Sequence, residues 1–406
     1  MYMDSNTPDA SRVARVEDPV GGDSPRRILI LTASVGAGHN QAARALQETL
    51  RRSAPHVHVE CRDVLDYTPR LFRLKYATGY AIMVSRFPRL YGLGFAATDH
   101  PRGPRRTLLE RRRLWSEARA LQALGKAVDE FAPDGILHTH FLAPPYLARR
   151  ARDRGETLRQ FIVTTDVVPH RWWYCEDAAC YFTAHPTGRD RLIELGAPED
   201  RVVVSGMPIH PKWTAALPSR EAICREWSLP ADRPVVVLGG GADFTCGPIM
   251  NIARRLTVEN PSVCVVVLGG RNKKLLGRLS ALPETRAGRI VPQGFTDRVH
   301  ELLSVADVMV TKAGGLTTAE CLAKRLPMVF LPPVPGQEEG NAEFFTRHGA
   351  GCIARNTREV VAMTAGLLNA PEKRQTMSHV AGELYRPGAQ TIIETMVYMH
   401  RKGRSK

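Results

Sequence analysis

Thr311-Lys312-Ala313-Gly314-Gly315-Leu316-Thr317-Thr318-Ala319-Glu320 follows an apolar run, Val308-Met309-Val310. It reads as a strand, a Gly-Gly turn and a helix starting near Thr317. Backbone N–H groups at such a helix start lack intrahelical partners and attract an anion such as a diphosphate. Glu320 falls about one turn into that helix, where a carboxylate can accept hydrogen bonds from vicinal hydroxyls. After the next apolar run, Met328-Val329-Phe330-Leu331, comes Pro335-Gly336-Gln337-Glu338-Glu339-Gly340-Asn341. Phosphate donors, a diol acceptor and an amide–carboxylate cluster at these spacings describe a nucleotide-sugar pocket. Against it stands a plainer reading, since Gly-Gly turns are common in α/β domains and helix-borne glutamates are usually solvated.

A second group lies near the start, in Thr32-Ala33-Ser34-Val35-Gly36-Ala37-Gly38-His39-Asn40, with a helix predicted from near Gln41. The Gly36-x-Gly38 turn lacks the third glycine of the dinucleotide fingerprint, but it still admits a ligand close to the backbone. His39 at that junction can accept a proton from an attacking hydroxyl at neutral pH, or can simply cap the helix. Asp166 ends another apolar run and can assist or replace it as a base, or serve as a turn residue. His138 and His140 end a third run. In the second half Gly239-Gly240-Gly241 and Gly269-Gly270-Arg271-Asn272 also end strands. Gly240 would admit a diphosphate, Arg271 would neutralise phosphate charge, and Phe295 would wall the base.

Strand-like runs alternate with helical patterns almost throughout, which argues for βα units and parallel sheets. The predicted strands are Arg27–Thr32, Val57–Cys61, Gly135–His138, Phe161–Thr165 and Val202–Ser205, then Val235–Leu238, Val263–Leu268, Arg289–Val291, Val308–Thr311 and Met328–Leu331. Met207-Pro208-Ile209-His210-Pro211 between the sets reads as a hinge, because paired prolines resist helix and central strand alike. The expected organisation is a tail at 1–24, an acceptor domain at 25–210 and a donor domain at 211–388. A last helix at 389–406 would pack back on the first domain. The fold class is α/β, two doubly wound domains facing a cleft.

One segment interrupts the alternation. From Tyr67 to Trp115, apolar and aromatic residues such as Leu71, Phe72, Leu74, Tyr76, Tyr80, Phe87, Leu90, Tyr91 and Phe95 interleave with Arg70, Arg73, Lys75, Arg86 and Arg89. Arg102, Arg105, Arg106, Arg111, Arg112 and Arg113 follow. Rings entering a headgroup region and guanidinium groups pairing lipid phosphates suit this composition. A core with a solvated basic rim is the alternative. The net charge of +15 over 406 residues agrees with an anionic partner. No RNA- or DNA-binding motif accompanies it, so nucleic acid is not expected.

The chain carries no apolar run of about 20 residues and no secretory h-region. Its eight cysteines are scattered in apolar stretches, as expected of buried thiols in a reducing cytosol. Cys175, Cys180 and His185 fit no standard zinc spacing and lack a fourth ligand, so no metal is expected.

Taken in order, Gly36-Ala37-Gly38-His39, Arg271-Asn272-Lys273-Lys274-Leu275, Lys312-Ala313-Gly314-Gly315 and Gly336-Gln337-Glu338-Glu339-Gly340-Asn341 resemble the monogalactosyldiacylglycerol synthase and processive diacylglycerol glucosyltransferase family. They are more distantly similar to the lipid-linked GlcNAc transferase of peptidoglycan synthesis. The likeness runs over about residues 27 to 370, and the ordered set makes it specific. It implies a GT-B fold, a UDP-hexose donor on the second domain, a lipid acceptor on the first, and inversion without a metal or further cofactor. Carried over, Glu320 would hold the ribose, and Gln337 with Glu338 the sugar. Gly314 and Gly315, with Leu316 and Thr317, would approach the diphosphate, and Asn341 would complete the donor site. Ala37 replaces a usual glycine, and Ala313 stands where bacterial relatives often carry proline.

The expected function is therefore transfer of a hexosyl group from a UDP-sugar to a membrane lipid, diacylglycerol first. His39, helped by Asp166, would take the acceptor proton, and Arg271 or Lys312 would stabilise departing UDP. Gly36, Gly38 and His140 would face the acceptor; Arg70, Arg73, Arg86, Arg105 and Arg106 would face an anionic membrane on the cytoplasmic side. A polyprenyl-linked or carotenoid-type acceptor, a UDP-sugar epimerase and a non-enzymatic UDP-sugar sensor are the alternatives.

Overall fold

The structure, a computed structural model, describes residues 25–99, 108–241 and 247–402. Twelve strands among these residues form two parallel sheets of six. The first contains β1 (Arg27–Thr32), β2 (His58–Asp63), β3 (Gly135–His138), β4 (Gln160–Val163), β5 (Ala178–Thr183) and β6 (Val202–Val204), in the order β2-β1-β3-β4-β5-β6. The second contains β7 (Val235–Gly239), β8 (Cys264–Gly270), β9 (Ile290–Gly294), β10 (Val308–Thr311), β11 (Met328–Phe330) and β12 (Gly351–Ile353), in the order β12-β11-β10-β7-β8-β9. β5 and β12 were not expected. Helices cover both faces of each sheet, so runs such as Val235-Val236-Val237-Leu238 are fully buried.

Strand order reverses between β1 and β3 in one sheet and between β7 and β10 in the other. Open α/β sheets bind ligands outside the strand C-termini at such switch points. His39, Thr139 and His140 follow one of them; Gly240 and Lys312 follow the other.

Both helices predicted to start the sites begin earlier than expected. The first spans Ala37–Ser53, which puts His39 in its opening turn, and the other spans Gly315–Ala323. An apolar cluster runs across the two halves, joining Ala42, Val167 and Met207 to Leu316, Phe344 and Phe345. The last helix, Gly388–Lys402, buries Ile392, Ile393 and Met396 against Leu46, Leu50 and Phe182 of the first half. Each such side chain contributes about 2 kcal/mol on removal from water.

The Tyr67–Trp115 segment lies between β2 and β3 and folds into helices that include Gly79–Arg86, Pro88–Thr98 and Leu108–Ala120. Its residues divide between two faces. Phe72 and Tyr76 pack on the first half's core, and Tyr80, Tyr91 and Phe95 turn toward the cleft. That corrects the expectation that these rings enter a lipid headgroup layer. Leu71, Leu74, Phe87, Leu90 and Leu93 point outward, each more than half exposed, among exposed Arg70, Arg73 and Arg86. Arg102, Arg105 and Arg106 lie outside the described residues. No helix among the described residues is long and apolar enough to cross a membrane.

Candidate active site

Three helix N-termini meet at the cleft, those of Ala37–Ser53, Gly315–Ala323 and Gln337–Arg347. Each is preceded by a glycine (Gly36, Gly314, Gly336) and none has a side-chain cap. Their first N–H groups are therefore open to a ligand.

On the acceptor side, His39 Nδ1 lies 2.7 Å from the Thr139 carbonyl oxygen and 3.1 Å from Thr165 Oγ1. A carbonyl can only accept, so Nδ1 carries the proton and Nε2 keeps its lone pair. Burial lowers His39 to about 4, with the Thr139 carbonyl pulling back, so the ring is neutral near pH 7. The His140 ring meets it edge-on at 4.6 Å and accepts the Leu142 N–H on Nδ1. Burial also drives His140 well below its ordinary value. Asp166 is raised to about 6 by burial, partly offset by Asn341, with the Glu338 carboxylate pushing it up further. That value places a carboxylate base near its working pH.

On the donor side, several expected residues have protein partners. Lys312 Nζ donates to Glu338 Oε1 at 2.6 Å, so its charge faces a carboxylate before any phosphate arrives. Glu338 Oε2 is buried and has no hydrogen-bond partner among the described residues. Gln337 does not face the pocket alone. Its Oε1 accepts from Tyr91 at 2.6 Å and its Nε2 donates to the Tyr80 hydroxyl at 3.0 Å. Asn341 is buried and bridges the halves; its Oδ1 takes the Val167 N–H and its Nδ2 donates to the Ala313 carbonyl. Gly315 packs on the first half, because a Cβ there would overlap the Thr165 carbonyl oxygen. Leu316 lies near Gly38, and Gly241, beside Gly240, lets the Lys312 stem pass.

Glu320 is raised to about 8 by burial, with Lys212 pulling it back. Arg271 lies 4.2 Å over the exposed Phe295 ring, so two residues expected to act separately form one stacked pair. Among the described residues no cluster of three or more His, Cys, Asp or Glu is arranged to hold a metal ion. Tyr80, Tyr91, Thr139 and Thr165 were missed as site residues. Thr139, between His138 and His140, and Thr165, directly before Asp166, carried a local signal.

Two doubly wound parallel sheets that turn their switch points to one cleft define the GT-B fold. The fold matches a co-structure of S. aureus MnaA with UDP at a TM-score of 0.60, with 16% identity over 92% of this chain and 96% of that one. It matches the glycosyltransferase of kitacinnamycin at 0.61, with 14% identity over 92% and 99%. Residues 39–209 match the monogalactosyldiacylglycerol (MGDG) synthase family, and residues 235–396 match the glycosyltransferase family 28 C-terminal domain. The processive diacylglycerol beta-glucosyltransferase of Bacillus subtilis (strain 168) is 29% identical, covering 91% of this chain and 94% of that protein. Its counterpart in Bacillus pumilus is 28% identical, covering 92% and 94%. The chain thus joins a region matching the monogalactosyldiacylglycerol synthase family to one matching the glycosyltransferase family 28 C-terminal domain, and is similar over most of its length to processive diacylglycerol glucosyltransferases.

Proposed function

We propose that this enzyme moves a hexosyl group from a UDP-sugar to the hydroxyl of diacylglycerol, with inversion, while seated on the inner face of the cell membrane. The observation that carries this reading is the divided cleft. Asp166 and His39 Nε2 stand on one side, and uncapped helix starts with the buried Glu338 carboxylate stand on the other.

The acceptor oxygen attacks the anomeric carbon opposite UDP and its proton passes to the base. The bond from that carbon to the diphosphate oxygen breaks, and UDP leaves with the electron pair. Of the two candidate bases, Asp166 is better poised near neutrality than His39. Helix N–H groups receive the charge of the leaving diphosphate, with no metal or further cofactor in the scheme. Glu320 holds the ribose hydroxyls, and Gln337 with Glu338 the sugar.

Leu71, Leu74, Phe87, Leu90 and Leu93 among arginines form the membrane-seated face. The test is product mass spectrometry and vesicle sedimentation with a panel of UDP-hexoses. Hexosyl diacylglycerol should form, and Phe87→Ser, Leu90→Ser and Leu93→Ser together should weaken binding to anionic vesicles roughly a hundredfold. Sedimentation unchanged by the triple substitution would remove this face from the reading.

A further inference from the structure

Donor binding by itself requires nothing of the insertion between β2 and β3, yet that insertion grips the donor half. Tyr91 donates its hydroxyl to Gln337 Oε1 at 2.6 Å, and Gln337 Nε2 donates to the Tyr80 hydroxyl at 3.0 Å. The two phenol rings meet edge to face at 5.8 Å, so each braces the other. The helix carrying Tyr91 sits directly on the loop that precedes Gln337. A Cβ at Gly92 would overlap Pro335, and one at Gly336 would come within 3.2 Å of the Phe95 ring. Burial, then the carboxylates of Glu338 and Asp166, push the Tyr80 phenol up to about 12.

A primary amide offers two acceptor positions and two N–H donors. Each tyrosine takes one, so one acceptor position and one N–H stay open on an amide anchored at both ends. Hydroxyls that differ only in axial or equatorial placement are told apart when polar groups are rigidly held, since a misplaced hydroxyl leaves a buried partner unmet.

We propose that Tyr80 and Tyr91 are positioning residues of the sugar subsite, holding Gln337 so that the insertion contributes to the choice of donor sugar. This rests on the reading that Gln337 holds the donor sugar's hydroxyls. One helix then carries both contacts, with Leu90 and Leu93 on its exposed face and Tyr91 toward the sugar.

Initial rates of the full chain on diacylglycerol vesicles with UDP-glucose and UDP-galactose test the proposal, using Tyr80→Phe, Tyr91→Phe and, as reference, Gln337→Ala. Each phenylalanine variant should raise donor KM about five- to tenfold and move the ratio of the two sugars' kcat/KM toward unity. Inhibition by UDP, which lacks the sugar, and sedimentation with vesicles should stay within about twofold. A general loss of structure would instead move all four readouts. If Gln337→Ala changes KM and the sugar ratio while both phenylalanine variants leave them unchanged, the role of the tyrosines is overturned and that of Gln337 stands. If Gln337→Ala itself changes neither, the sugar-holding role of Gln337 falls and the tyrosines' role with it.

Discussion

Asn341 Oδ1 accepts the backbone N–H of Val167 at 2.9 Å, across the boundary between the two halves. Its Nδ2 donates to the Ala313 carbonyl at 3.0 Å and lies 3.4 Å from Asp166 Oδ1. One buried amide thus ties the segments after β4 and β10 together and touches a candidate base. Asn341→Ala leaves buried backbone groups unpaired, which costs about 1–3 kcal/mol. We expect the melting temperature to fall by roughly 3–8 °C. Asn341 also favours the ionised form of Asp166, so the acid limb of the pH–rate profile should move upward in the variant. Calorimetry and rates between pH 5 and 8 check both expectations.

Gly315 of the second half packs closely on Thr165 of the first. Gly315→Ala places a methyl against the Thr165 carbonyl and holds the cleft open. Displacements on the order of 1 Å can cost about a hundredfold in rate. We expect kcat/KM to drop by roughly that factor while far-UV circular dichroism is unchanged. Wild-type activity in the variant would show that closure at this contact is not needed.

The two candidate bases separate by pH. An acid raised to about 6 is a carboxylate above that value, so a rate that needs ionised Asp166 is lost as pH falls through about 6. His39, lowered to about 4, is neutral from pH 5 upward and gives a limb only near 4. We expect a limb near 6 in kcat/KM, and a fall of about 10²- to 10⁴-fold in Asp166→Asn. A limb near 4, with the loss carried by His39→Ala, would move the proton to the imidazole.

Glu320 should set an alkaline dependence of donor binding. Raised to about 8, it is largely neutral below that pH and ionises above it. On the proposed role, the ionised form would accept from both ribose hydroxyls, so donor KM should fall as pH rises through about 8. Glu320→Gln should flatten that fall. Steady-state kinetics from pH 6.5 to 9 reads it directly.

Much of the frame was legible because buried parallel strands are continuous apolar runs, as in β7 and β10. β5, Ala-Ala-Cys-Tyr-Phe-Thr, opens on small residues, and β12 has only three residues at a sheet edge, so neither stood out. The helices start early because Ala37 and Gly315, neither a cap residue nor amphipathic, already have helical backbone. Chemistry at strand ends was legible from glycine turns, but partners were not. Gln337 meets Tyr80 from 257 residues away and His39 meets Thr139 from 100 away. No local pattern separates a ring turned to lipid from one turned to an amide on the other half.

The anomeric configuration of the lipid product tests the central claim most directly. With α-linked UDP-glucose or UDP-galactose and diacylglycerol vesicles, proton NMR should show a β-linked hexosyl diacylglycerol, formed mole for mole with UDP at the first addition. An α-linked product would contradict single displacement, and an epimerised UDP-sugar with no lipid product would contradict transfer itself.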